Sequence, residues 1–216
     1  LFRSVRFFAG TVEQAVEEAE RFGRAARARS ALRNSVFVLL PNFHEVMWST
    51  YVSPYDFFLK AGPELRFASV ESLAEAVAAV SDDDAESLTD KLAATYAVDS
   101  SVRRESFVES VRASIGVDRL ASDLDADVVV MNDIDPGLVA RLGLRPGFCP
   151  VSTEETSALV TPEGDVGAAL AVYILKLVSR GIVNFSEIFY PDLENGTFVM
   201  GHAGPNEYLD SAHPEG

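Results

Sequence analysis

Apolar residues recur at helical spacing between residues 12 and 33, where Val12, Ala15, Val16, Ala19, Phe22 and Ala26 share one stripe and Thr11 is placed to cap it; one long helix is predicted. Ser35 to Leu40 then forms a short apolar strand stopped by Pro41, and Leu65 to Val70 a second. Helical patterns follow over Glu71–Val80, Ala85–Val98 and roughly 105–124. The β-branched run from Asp127 to Met131 has the pattern of a strand buried on both faces. Strands alternating with helices predict an α/β fold: a parallel sheet, running to about residue 150, with helices on both faces.

The stretch from Pro162 to His202 changes pattern. A helix opening at Glu163-Gly164-Asp165 is apolar almost all round (Val166, Ala169, Leu170, Val172, Tyr173, Ile174, Leu177, Val178), the signature of a buried helix. Glu163 in its first turn would be held ionised by the helix dipole and free amides. Beyond it, Val183, Phe185, Glu187 and Phe189 alternate onto one strand face, so a carboxylate stands among large apolar side chains and calls for a metal or cationic partner. Asn195-Gly196 predicts a hairpin turn. A two-residue loop sets Phe189 opposite His202, with Glu187 diagonal to it, whereas a four-residue loop from Leu193 to Gly196 sets Glu187 directly opposite; either keeps Glu187 and His202 on one face. Two carboxylates and an imidazole, with water completing the shell, suit Mn²⁺, Mg²⁺ or Co²⁺.

Charge narrows the partners. Thirty-three acids against 18 basic residues give −15, which argues against nucleic acid and anionic surfaces. No apolar run is long enough to span a bilayer, and the lone Cys149, read as a packed thiol, fits a reducing cytoplasm. Arg21, Arg24, Arg27, Arg29 and Arg33 suit a helix C-terminus and mark a solvated or subunit-facing flank. Asp82-Asp83-Asp84 reads as a solvated helix start, and His44 and His213 as incidental. Asn132 and Asp133 follow the central strand, where open α/β sheets place ligands, and with Tyr190 they are candidate sugar contacts. No G-x-G-x-x-G follows any strand, so a dinucleotide is not supported.

Pro146-Gly147, Glu163-Gly164-Asp165 opening a helix, Glu187 on a strand and Gly201-His202 after a hairpin together resemble the catalytic half-motif of the L-arabinose/L-fucose isomerase superfamily, over about residues 146 to 202. The resemblance implies that Glu163, Glu187 and His202 bind a divalent cation, usually Mn²⁺, and that Glu163 and Glu187 move protons in aldose–ketose isomerisation through an enediol. It leaves open which glutamate is the base and whether the sugar is a pentose or a 6-deoxyhexose. It further implies a homo-oligomer and a last metal ligand, a histidine, beyond Gly216. With Leu1 in place of an initiator Met, the chain reads as a piece of a longer polypeptide: 1–34 a helix leading in from another domain, 35–180 a Rossmann-like sheet domain, 181–216 the start of a second, β-containing domain. The alternative is a non-catalytic sugar-binding or assembly module of the same fold.

Overall fold

The computed structural model describes residues 8–146, 158–179, 181 and 183–202. Cys149, Gly147 of the half-motif, and everything after His202, His213 included, lie outside the described residues. In chain order the elements are α1 (Val12–Arg33), β1 (Val36–Leu40), α2 (Pro54–Lys60), β2 (Glu64–Phe67), α3 (Val70–Ala78), α4 (Asp82–Thr95), α5 (Arg104–Asp123), β3 (Val128–Met131), α6 (Pro136–Leu142), β4 (Leu159–Thr161), α7 (Val166–Ser179), β5 (Glu187–Asp192) and β6 (Thr197–Gly201).

Strands β1 to β4 form one parallel sheet in the order β2-β1-β3-β4. The two central strands, β1 and β3, are buried at every position because helices cover both faces. On one side Val38, Leu40, Val129 and Met131 pack against Leu73 of α3, Val117 and Leu120 of α5 and Leu138 of α6. On the other, Phe37, Leu39, Val128 and Val130 meet Phe57 of α2 and Val166, Ala169 and Val172 of α7. Phe37 is gripped edge-on by Phe57 and Tyr173, with ring centroids 5.4 and 5.5 Å away. Strand order reverses between β1 and β3, which opens a crevice at their carboxyl ends.

Local chemistry sets the boundaries. Thr11 and Gln14 form a capping box on α1. Ser53, Ser69, Ser81 and Asp135 cap α2, α3, α4 and α6 through side-chain oxygens. The acidic start of α4 is more than a solvated end: Asp82 and Asp84 pair with Arg112 and Arg119 of α5 at 2.7 and 2.8 Å. Helix α3 crosses α5 at Gly116, where an added Cβ would stand 2.4 Å from Val77 Cγ2.

Several boundaries differ from the sequence expectation. The second strand stops at Phe67, because Ser69 turns the chain into α3. The sheet continues past residue 150 into the three-residue β4. The apolar helix begins at Val166 and is buried at Val166, Ala169 and Val172 only, while Leu175 is 51% exposed. The helix also runs beside α1. Beyond it, β5 and β6 pair as a separate two-stranded antiparallel sheet.

Candidate functional site

The carboxyl ends of β1, β3 and β4 and the end of the β5–β6 hairpin supply the site. Asn42 follows β1, Asn132 and Asp133 follow β3, Glu163 and Gly164 follow β4, and His202 follows β6.

Glu163 is not in the first turn of a helix, as its sequence position suggests. It occupies a left-handed turn with φ +64°, followed by Gly164 at the same angle, and α7 starts only at Val166. The N-terminal cap is instead Asp165, whose Oδ1 accepts from the Ala168 N–H at 2.8 Å. A left-handed glutamate is unfavourable, so other contacts must hold it. Two do. The Glu163 N–H donates to Asp133 Oδ1 at 3.0 Å, and the Gly164 N–H donates to the Met131 carbonyl at 3.1 Å. Gly164 also has no room for a side chain: a Cβ would sit 2.9 Å from the Asn42 carbonyl oxygen and 3.3 Å from the His44 nitrogen.

Asp133 is fully buried, and its second oxygen takes a two-pronged contact from Arg145, Nε at 2.8 Å and a terminal guanidinium nitrogen at 2.6 Å. Asn132, 2% exposed, donates to Asn42 Oδ1 at 2.9 Å, and Asn42 donates to Asp135 at 3.2 Å. Two of the three residues expected to touch a sugar, Asn132 and Asp133, therefore fix the Glu163 turn and its neighbouring loop. Asn42, Asp135 and Arg145 complete that scaffold and are absent from the sequence-level site. Only the tertiary fold brings Asn42 and Asp135 together, and nothing in the spacing of Asp133 and Arg145 announces their pairing. Two buried oxygens at this edge, Asn132 Oδ1 and Thr161 Oγ1, have no hydrogen-bond partner among the described residues.

His202 meets this turn. Its Nε2 lies 3.4 Å from Glu163 Oε1, with the His202 side chain 3% and the Glu163 side chain 18% exposed. Phe185 packs edge-on against the imidazole, with ring centroids 4.6 Å apart. The pair thus sits in a half-apolar setting with one carboxylate edge toward solvent.

Glu187 does not join them. The hairpin loop has four residues, Leu193 to Gly196, one of the two lengths compatible with a shared face, but the ladder slips between Ile188 and Tyr190. That bulge adds one residue to β5, so Glu187 pairs with Gly201 and not with His202. A one-residue slip exchanges the faces of a strand, which sends Glu187 to the side away from the imidazole and leaves it exposed. Tyr190, 65% exposed, is likewise on the open hairpin, opposite Val199. Among the described residues no three His, Cys, Asp or Glu side chains group to hold a metal ion. Glu163 and His202 offer an oxygen and a nitrogen donor, two positions of the six or so that Mn²⁺ or Mg²⁺ takes, so the expected three-ligand set is not assembled.

No helix among the described residues is long and apolar enough to cross a membrane. No family model matches the chain, and no curated protein matches it.

Proposed function

We propose that this chain carries part of the site of an aldose–ketose isomerase of the L-arabinose/L-fucose isomerase type, with Glu163 as its proton-transfer group. The observation that supports this is the approach of His202 to Glu163, 3.4 Å, at the carboxyl edge of a parallel sheet. A carboxylate fixed by its own backbone and flanked by an imidazole suits proton movement between adjacent carbons of a sugar. Glu163 takes the proton from the carbon beside the carbonyl, and the resulting enediol receives it back on the neighbouring carbon. His202 orients the carboxylate and can hold a hydroxyl proton. A divalent cation bound by Glu163 and His202 would stabilise the charge that develops on the sugar oxygens. With Glu187 facing away, that cation is short of donors here, and no step is assigned to it.

The outward position of Glu187 favours a second reading, a sugar-binding or assembly module without turnover. The two are separated by assaying aldose–ketose interconversion over a panel of pentoses and 6-deoxyhexoses with added Mn²⁺. Glu163→Gln should lower the rate by roughly 100-fold or more, the range for loss of a general acid–base group. Wild-type rates from that variant would end the isomerase proposal, and sugar binding without interconversion by the unmutated protein would establish the module.

A further inference from the structure

The arginines of this acid-rich chain are unequally satisfied. Arg21, Arg66, Arg104, Arg112, Arg119 and Arg145 each reach a carboxylate. Arg29 and Arg33 on α1 have no ion-pair or hydrogen-bond partner among the described residues, although the sequence holds 33 acids. They line an open cleft of about 490 Å³ between α1 and α2, together with Phe58, Leu59 and Lys60, whose ammonium is paired with Asp56 at 3.1 Å. No acid lines it, and Phe58 and Leu59 are 55% and 58% exposed. Gly62, at φ +114°, lets the turn after α2 close on the Arg33 stem, where a Cβ would be 3.0 Å from Cγ.

The β5–β6 hairpin is the complementary surface. Residues 187–201 contain no basic residue, and of their three acids Glu194 is the one the tip presents: the Asp192 carboxylate accepts from the Glu194 and Asn195 N–H groups and the Asn195 amide, and Glu187 lies at the other end of β5. Ile188 and Phe198 are 61% and 56% exposed, and Leu193 at the tip is 89% exposed. A two-stranded hairpin with apolar side chains open to water is marginal alone and gains from being covered.

We propose that the α1–α2 cleft receives the β5–β6 hairpin tip of a second copy of this chain, Leu193 entering against Phe58 and Leu59 while Glu194 meets Arg29 and Arg33. The occupant comes from another copy because the two surfaces lie at opposite ends of the sheet. Arg33 and Gly62 immediately precede the amino ends of β1 and β2, whereas the hairpin is anchored through His202 and Glu163 at the carboxyl end of β4. The contact is head to tail, so copies close into a ring or extend as a filament. Its centre places two arginines, a residue type enriched at interface hot spots, beside apolar side chains that the contact would desolvate.

Sedimentation velocity across a concentration series tests this. The unmutated chain should self-associate. Arg29→Glu with Arg33→Glu should weaken association roughly tenfold or more, and so should Glu194→Arg, as expected when like charges face each other. Combining the three substitutions should restore it. Circular dichroism melts check that each variant is folded, since all three positions are exposed. A monomer at every concentration overturns the proposal, as does association unchanged by either variant. Weakening by the arginine variant without recovery in the combined one shows that Glu194 is not the group the cleft receives and equally overturns the proposal.

Discussion

Gly164→Ala is the sharpest probe of how Glu163 is held. Besides Gly62 at φ +114°, three glycines share the left-handed region: Gly143 at φ +74°, Gly164 at +64° and Gly196 at +64°. An added Cβ at Gly143 or Gly196 meets nothing within 4 Å, so alanine there costs only the left-handed penalty, about 1–2 kcal/mol. At Gly164 the same Cβ stands 2.9 Å from the Asn42 carbonyl oxygen and 3.3 Å from both Asn132 Cβ and the His44 nitrogen. Two of these are backbone atoms, which cannot rotate away. Overpacking of this kind adds about 1–3 kcal/mol, for a total of about 2–5 kcal/mol. Urea unfolding of the three alanine variants in parallel isolates the close approach as the difference between Gly164→Ala and the other two. The urea slope should stay constant, since the exposed surface of the unfolded chain is unchanged. If all three variants agree to within about 0.5 kcal/mol, ordinary additivity scatter, the loop after β1 does not press on the Glu163 turn and the account of that turn fails.

Two further outcomes follow from buried polar groups. Asp133→Ala removes the acceptor of the Glu163 N–H and the partner of Arg145 together, and should cost about 2–3 kcal/mol in urea unfolding; Asp133→Asn, which keeps an acceptor oxygen, should cost less, and equal costs would refute the backbone role of Oδ1. Burial, followed by the Asp127 charge and a hydrogen bond to it at 3.4 Å, pushes the Tyr173 phenol up to about 12. Because an unfolded phenol titrates near about 10, the folded state keeps this proton longer; the stabilisation is complete below pH of about 10 and is lost as pH rises toward 12. Tyr173→Phe should remove that part of the alkaline fall in stability, measured by thermal melts between those pH values.

The central strands are readable in the sequence because burial on both faces imposes an unbroken apolar run, as in Val36–Leu40 and Val128–Met131. The long helices are readable from their periodicity. Strand β4 is not, because three residues carry no period, and α2 and α6 are single short helices whose proline starts look like loop signals. The hairpin shows a subtler limit. Asn195-Gly196 marks the turn, and Asp192 fixes a four-residue loop by accepting from the Glu194 and Asn195 N–H groups at 3.1 Å. Yet the face Glu187 occupies depends on a bulge between Ile188 and Tyr190, and the one local signal, Pro191 next to it in β5, marks an irregular or edge strand without giving the position of the extra residue. Glu163 and His202 are legible as residue types; that Asp133 and Arg145 hold the first of them in place is not.

The adjacency of β1 and β3 has a kinetic consequence. Phe37 pairs with Val128, and Asn42 with Asn132, so the middle of the sheet closes only when segments some 90 residues apart meet. The chain has to spend loop-closure entropy on its most central contact before the outer strands have anything to join. Helices α3 to α5 can form and pack among themselves while that gap is open, because their neighbours are close in sequence. The Glu163 turn cannot: its supports come from β1, β3 and the hairpin at once. During folding, secondary structure should therefore report on an early event, and the meeting of Glu163 with His202 on one of the last.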